Sequence, residues 1–377
     1  MLRLGFDAKR FFNNYTGLGN YSRDILENLS SVFPENEYYL YSSKIPKAKG
    51  VAEYIDLKKF HIVQPKTVFK ALWRSFGIKN NLIEDKIQLY HGLSFEIPFG
   101  IKKTKIKTVA SIHDLIFLKY PELYPLIDRT IYNIKCRYAA HNSDMITTIS
   151  EASKVDIVKY YHIDPDKIKV VYPSCAENFR ISKSYEDLAA LISKYKLPSS
   201  YILYVGSVIR RKNLLHIVES YKFLTSDLKI PLVIIGKADN AYKQNIIEFI
   251  RQNRLEKYLI WLENVSNNDL PGIYQKADLF IYPSLYEGFG IPVLEALFSK
   301  IPVITSNTSS LPEAGGQYSY YIDPESPEEI AFGISKILND KNMADKMVVK
   351  GYEYAMNFTG EAIAKKMMEV YLITINS

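Results

Sequence analysis

The chain has 377 residues, a net charge of +7, 47% apolar and 24% charged residues. That is the balance of a globular protein with room for two sizeable cores. No apolar run reaches the length of a membrane-spanning helix, and the start, MLRLGFDAKRFF, breaks its apolar residues with Arg3, Asp7, Lys9 and Arg10, unlike a signal peptide. Cys136 and Cys175 are the two cysteines and form no CxxC or Cys/His cluster. This excludes a structural zinc site and fits a reduced, cytoplasmic chain.

Short apolar runs alternate with amphipathic stretches, which predicts a parallel α/β architecture. Residues 2–7 read as the first strand and 21–29 as the helix after it. Residues 88–91, 108–112, 145–149 and 169–172 read as later strands of the same half. Ahead of the first helix stands TGLGNYS, residues 16–22. A dinucleotide fingerprint would need a third glycine where Ser22 stands, directly after the strand, so Gly17 and Gly19 read as turn glycines.

Between residues 40 and 110 lysine and arginine far outnumber the acids. Such a run is usually a solvated face; its functional alternative is attraction to an anionic membrane or a phosphorylated substrate. Within it, residues 66–79 read KTVFKALWRSFGIK. On a helix Phe69, Leu72, Trp73 and Phe76 share one face, while Lys66, Lys70 and Arg74 follow another. That pattern suits either an ordinary surface helix packed on the sheet or a basic amphipathic helix lying in an anionic membrane interface.

His113 and Asp114, in SIHDL, follow an apolar strand; such a pair is a base dyad or a structural histidine beside a turn. Asp164-Pro165-Asp166 carries the Asp-x-Asp spacing of a metal motif, but the proline and its place between a helix and a strand make it a turn. No other segment resembles a metal cage, so neither metal nor cofactor is expected. The thirty tyrosines are read as a compositional habit without functional weight.

Residues 181–197 are polar and mixed, ending in Pro198-Ser199-Ser200, and the domain boundary is placed there. A second strand series follows at 201–205, 232–235, 258–261, 279–283 and 303–305. Its first strand runs into YVGSVIRRKN, residues 204–213, which brings Arg211 and Lys212 to a strand end ahead of a helix. A guanidinium fork and an ammonium are groups that neutralise a diphosphate. A solvent-facing basic loop is the plainer alternative.

The richest stretch is PSLYEGFGIPVLEALFSKIPVITSNTSSLP, residues 283–312. An apolar strand leads to Glu287, then to Gly288, Phe289 and Gly290, and then to a helix opened by Ile291 and Pro292, with Glu295 in its first turn. The glycines permit close approach of a ligand, and the helix start aims backbone N–H groups at one spot, suited to phosphate. A carboxylate beside that spot accepts two hydrogen bonds, as vicinal sugar hydroxyls require. Taken singly, each glutamate would pass for an ordinary acid near a helix start.

Together with the later YIDP, residues 321–324, this stretch resembles the E-x7-E signature of the GT4 family of retaining glycosyltransferases, which have the GT-B fold. TGLGNYS is similar to that family's N-terminal glycine loop, SIHDL to its strand-end histidine, and RRKN to its diphosphate-binding element. Many members carry arginine directly after the glycine, where this chain has Ser207; the resemblance then implies that role for Arg211, less directly than it implies Lys212. The resemblance implies two Rossmann-like domains facing across a cleft, residues 1–180 on the acceptor side and 198–357 binding the donor, with a last helix at about 358–377 returning to the first.

It implies transfer of a sugar from a nucleotide diphosphate to a hydroxyl of a surface-glycan precursor, with GDP-mannose the first expectation and UDP-glucose or UDP-N-acetylglucosamine the alternatives. Lys212 and Arg211 would meet the leaving diphosphate. Glu287, the backbone of Gly288, Phe289, Gly290 and Ile291, and His113 would hold the donor sugar. Glu295 would hold the ribose, and Gly17 and Gly19 would lie against the phosphates. No metal is implied, and the expected place is the cytoplasm, with peripheral contact at the inner membrane face. Two rivals remain: a phosphorylase or epimerase of the same fold, and a non-catalytic nucleotide-sugar-binding protein.

Overall fold

Leu4 and Phe6 of Arg3–Asp7 (β1) are fully buried, as suits an interior strand of a seven-stranded sheet. Glu37–Tyr41 (β2), Phe60–Val63 (β3), Leu89–Gly92 (β4), Lys107–Ser111 (β5), Met145–Thr148 (β6) and Ile168–Val170 (β7) complete it, all parallel, in the order β3-β2-β1-β4-β5-β6-β7. This is a computed structural model, and it describes residues 1–14, 16–45, 56–66 and 72–377.

The chain divides into two units, Met1–Ser174 with Gly360–Ser377, and Cys175–Thr359. Residues 181–198 therefore lie inside the second unit, where Tyr185–Tyr195 forms a helix. In the first unit Ile25, Leu26 and Leu29 of the Gly17–Val32 helix share a core with Leu4, Phe6 and, from the Gly360–Asn376 helix, Ile363, Met367 and Tyr371. Each such side chain contributes about 1.5–3 kcal/mol by leaving water, which holds the last helix on this unit. Tyr371 adds a hydrogen bond of 2.7 Å to Nδ1 of buried His91.

In the second unit Ile202–Val205 (β8), Leu232–Ile235 (β9), Leu259–Leu262 (β10), Leu279–Tyr282 (β11), Val303–Ser306 (β12) and Tyr320–Ile322 (β13) form a parallel sheet ordered β10-β9-β8-β11-β12-β13. β9 and β11 are apolar and buried throughout, as strands covered on both faces must be. The order reverses between β8 and β11. A crevice opens at such a reversal outside the carboxyl ends of the strands, so the residues after Val205 and after Tyr282 are the ones placed to bind.

Two sequence expectations change. A short helix, Lys9–Asn13, follows β1, and the helix expected at 21–29 begins at Gly17, four residues early, so Gly17 and Gly19 lie in its first turn and not in a loop. Thr16 caps nothing with its side chain; Asn14 Oδ1 accepts from the Gly19 N–H at 3.1 Å instead. The amphipathic reading of residues 66–79 also loses its key members. Phe69 and Lys70 lie outside the described residues, Trp73 is buried in the core with Tyr41 and Ile78, and Arg74 is buried in ion pairs with Asp7 and Glu96. A tryptophan in the core and an arginine neutralised by two carboxylates are not available to a membrane surface. Among the described residues no helix is long and apolar enough to cross a membrane.

Candidate active site

The segment after β8 turns at Gly206 and makes a short 3-10 turn at Arg210–Lys212. Asn213 follows in the left-handed conformation (φ 62°), where asparagine is tolerated, and its side chain bonds to the Pro324 carbonyl at 2.6 Å. The Leu285 N–H donates to the Arg211 carbonyl at 2.9 Å, with Ser284 Oγ 3.1 Å away, and fastens this turn to the segment after β11. The strand reversal thus puts Arg211 and Lys212 beside Glu287.

Four groups converge on Oε1 of Glu287: Lys212 Nζ at 2.5 Å, Arg211 Nη1 at 3.0 Å, Ser284 Oγ at 2.6 Å and the Tyr282 hydroxyl at 3.2 Å. Lys212 also donates to the Tyr282 oxygen and lies 4.8 Å from that ring's centroid. Burial alone would push the Glu287 carboxyl up, but the Lys212 and Arg211 cations outweigh it and hold it at about 2, so Glu287 is an anion at neutral pH. Its backbone is fixed as well: the Ser309 hydroxyl receives the Glu287 N–H at 3.1 Å, and the Ser310 hydroxyl lies 3.0 Å from the Glu287 carbonyl and 2.9 Å from that of Phe289.

Gly290 has φ +116°, and a Cβ there would stand 2.8 Å from Leu311 Cδ2, so the position admits only glycine. It opens the Ile291–Phe298 helix, in which Pro292 is the second residue. Phe289 is buried against Phe358. Glu295 is half-buried on this helix, and its Oε2 accepts a hydrogen bond of 2.8 Å from the Tyr274 hydroxyl. Here burial prevails: it pushes the Glu295 carboxyl up to about 7, with Tyr274 pulling the other way. The two glutamates therefore sit in opposite electrostatic settings, one held by cations and one with, among the described residues, a single neutral donor.

In the first unit His113 follows β5, buried, with its ring edge-on to Tyr21 at 4.5 Å. Nε2 lies 2.9 Å from the Leu93 carbonyl, which can only accept, so Nε2 carries the proton and Nδ1 is left as an acceptor. Burial lowers its pKa to about 4 and keeps the ring neutral. Asp114 Oδ1 accepts from Ile116 N at 3.1 Å, a turn bond. A Cβ at Gly19 would lie 1.8 Å from the Asn14 carbonyl oxygen, whereas one at Gly17 would meet nothing within 4 Å. Asp164 caps the turn at Pro165–Lys167, accepting from Asp166 N at 2.9 Å. Among the described residues no group of three or more His, Cys, Asp or Glu is placed to hold a metal.

Residues 15–175 match the family model described as Glycosyltransferase Family 4, and residues 192–354 that described as Glycosyl transferases group 1. The chain belongs to the family 4 glycosyltransferases. This glycosyltransferase is 26% identical over 370 residues to O-antigen chain mannosyltransferase B of Escherichia coli, covering 94% of this chain and 96% of that one. Its fold, GT-B, is that of a glycosyltransferase from Rickettsia africae, with a TM-score of 0.76, 18% identity and coverage of 99% and 98% of the two chains. Anabaena HepE in complex with UDP and glucose gives a TM-score of 0.76 at 14% identity, covering 99% of this glycosyltransferase and 100% of HepE.

Sequence reasoning missed Tyr282, Ser284, Tyr274, Ser309 and Ser310 as parts of this site. Ser309 and Ser310 stood in the quoted run, but nothing in it marked them as partners of Glu287. Setting all thirty tyrosines aside was wrong for two of them. Each glutamate of the signature has a fully buried tyrosine hydroxyl beneath it, Tyr282 under Glu287 and Tyr274 under Glu295.

Proposed function

We propose that this glycosyltransferase moves mannose from GDP-mannose to a hydroxyl of a growing surface glycan, with retention of anomeric configuration and without a metal. The observation that carries the chemistry is the pair of cations, Arg211 and Lys212, gathered on Glu287 at the strand reversal. In the transfer, the bond from the anomeric carbon to the diphosphate oxygen breaks and one to the acceptor oxygen forms. The acceptor's proton passes to a donor phosphate oxygen. Negative charge grows on the diphosphate, and Lys212, Arg211 and the N–H groups at the start of the Ile291–Phe298 helix would stabilise it. Glu287, anionic and fixed, accepts from hydroxyls of the donor sugar. Glu295 accepts from the ribose, and His113 is the sugar-binding histidine the resemblance implies, neutral and with Nδ1 as its acceptor.

Support for mannose and for a surface glycan comes from the likeness to O-antigen chain mannosyltransferase B. Support for a UDP-sugar as the second reading, UDP-glucose or UDP-N-acetylglucosamine, comes from HepE, whose structure holds UDP and glucose. A thermal-shift series with GDP, UDP and ADP, followed by nucleotide release from GDP-mannose and the two UDP-sugars, separates them, because a ligand of the native state raises Tm. GDP should give the largest shift and GDP-mannose the turnover. Turnover with a UDP-sugar alone would replace the donor. A Tm shift with no hydrolysis of any donor would favour the non-catalytic nucleotide-sugar-binding reading.

A further inference from the structure

Glu295 ends in a flexible three-torsion side chain, and ordering such a chain around a ligand costs affinity unless something orders it beforehand. Its surroundings supply one hydrogen bond among the described residues, from Tyr274 to Oε2 at 2.8 Å. Tyr274 itself cannot swing. It is fully buried on the Leu270–Lys276 helix, its ring packed on Phe280 of β11 (centroids 5.2 Å apart) and edge-on to Phe179 (5.4 Å). The donor is therefore a rigid point, and it takes one carboxylate oxygen while leaving Oε1 without a hydrogen bond from any described residue.

The geometry points to Tyr274 as a positioning residue that pre-orients Glu295, so that Oε1 and the open lone pair of Oε2 receive the vicinal hydroxyls of a nucleoside ribose. This rests on the ribose role proposed above for Glu295. The Tyr274 hydroxyl also favours the ionised carboxylate against the burial that opposes it, and only that form accepts two hydroxyl protons. Because the ribose is unchanged during transfer, the contribution is uniform: it falls on donor affinity and not on the chemical step.

The test compares wild type, Tyr274→Phe, Glu295→Gln and the double variant, each assayed with GDP and 2′-deoxy-GDP for binding, or the UDP pair if UDP binds more tightly. Turnover is followed with the matching nucleotide sugar. Tyr274→Phe should weaken ribonucleotide binding and raise donor KM roughly tenfold. It should leave kcat within about twofold, and the preference for the ribonucleotide over its 2′-deoxy form should shrink. The double variant should match Glu295→Gln, since the tyrosine acts through that carboxylate.

If Tyr274→Phe weakens both nucleotides equally and its loss adds to that of Glu295→Gln, the role is packing and the inference is overturned. Wild-type affinity and preference in Tyr274→Phe, with both lost in Glu295→Gln, reject the inference and keep the ribose assignment. Unchanged preference in Glu295→Gln rejects both. Should Tyr274→Phe alone lower Tm steeply, recovery in the double variant locates the cost at the carboxylate, as the inference requires. No recovery locates it in packing and overturns it.

Discussion

Lys212 Nζ lies 2.5 Å from Glu287 Oε1, a buried ion pair between two segments that 74 residues of chain separate. On the proposed function, a diphosphate entering beside it would compete with Glu287 for the ammonium, so the pair would hold Lys212 in place before the donor arrives and share it afterwards. The same pair sets the acid stability of the second unit. Glu287 titrates below its ordinary 4.5, at about 2. A depressed carboxyl contributes stability that is full above the ordinary value and is lost as pH falls through the folded one. Glu287→Gln should therefore melt below wild type at pH 7, and the gap should close between pH 4.5 and about 2. A gap that stays constant over that range in thermal melts would show that the ion pair does not govern this limb.

Glu295 runs the opposite way. Its carboxyl is raised, to about 7, by burial. A raised group contributes stability below its ordinary 4.5 that is lost as pH rises through about 7. Glu295→Gln should gain Tm relative to wild type between pH 5 and 8 while losing donor affinity, a trade expected where a carboxylate is kept for binding. Thermal melts of both proteins across that range check it, and a difference independent of pH would contradict it.

Gly17 and Gly19 separate a binding role from a packing role. A methyl at Gly19 meets the Asn14 carbonyl, so Gly19→Ala should cost about 1–3 kcal/mol and lower Tm by several degrees. Gly17→Ala has open space and should leave Tm within about a degree, with its effect confined to donor KM. Equal losses of Tm in the two variants would refute the distinction.

Much of the site was legible because its signals are local. An apolar strand, a glycine pair and a helix start place Glu287 and Glu295 without knowledge of the rest of the chain. Lys212 could be read from its place after a strand, but its partner could not, because only the β8–β11 adjacency joins them. Tyr274 reaches Glu295 across 21 residues, and a tyrosine in an apolar helical run looks like core until its hydroxyl partner is seen. Three strands went unrecognised: β2, crowded with tyrosines, β3, an edge strand exposing His61 and Ile62, and β13, three residues long. Arg74 looked like a surface cation because its carboxylates, Asp7 and Glu96, are distant in sequence. Local composition cannot reveal a buried charge whose partners come from distant segments, here a strand end and a loop.

Activity should persist in excess EDTA. In the proposed mechanism Arg211 and Lys212, which share the one carboxylate of Glu287, meet the leaving group in place of a metal, and Asp164 of the Asp-x-Asp spacing is used in a turn. Turnover with and without chelator measures this. Loss on chelation with recovery on adding Mn²⁺ or Mg²⁺ would assign the leaving-group charge to a metal.

If Lys212 meets charge that grows on a nucleoside diphosphate during sugar transfer, steady-state kinetics of Lys212→Ala with the nucleotide-sugar donor will show it. An interaction made in the transition state should lower kcat, roughly a hundredfold or more, while donor KM moves only a few-fold. Arg211 and Ser284 still hold Glu287 in this variant, which keeps the site assembled for the comparison. A Lys212→Ala enzyme with wild-type kcat would contradict the assignment of Lys212 to the leaving group.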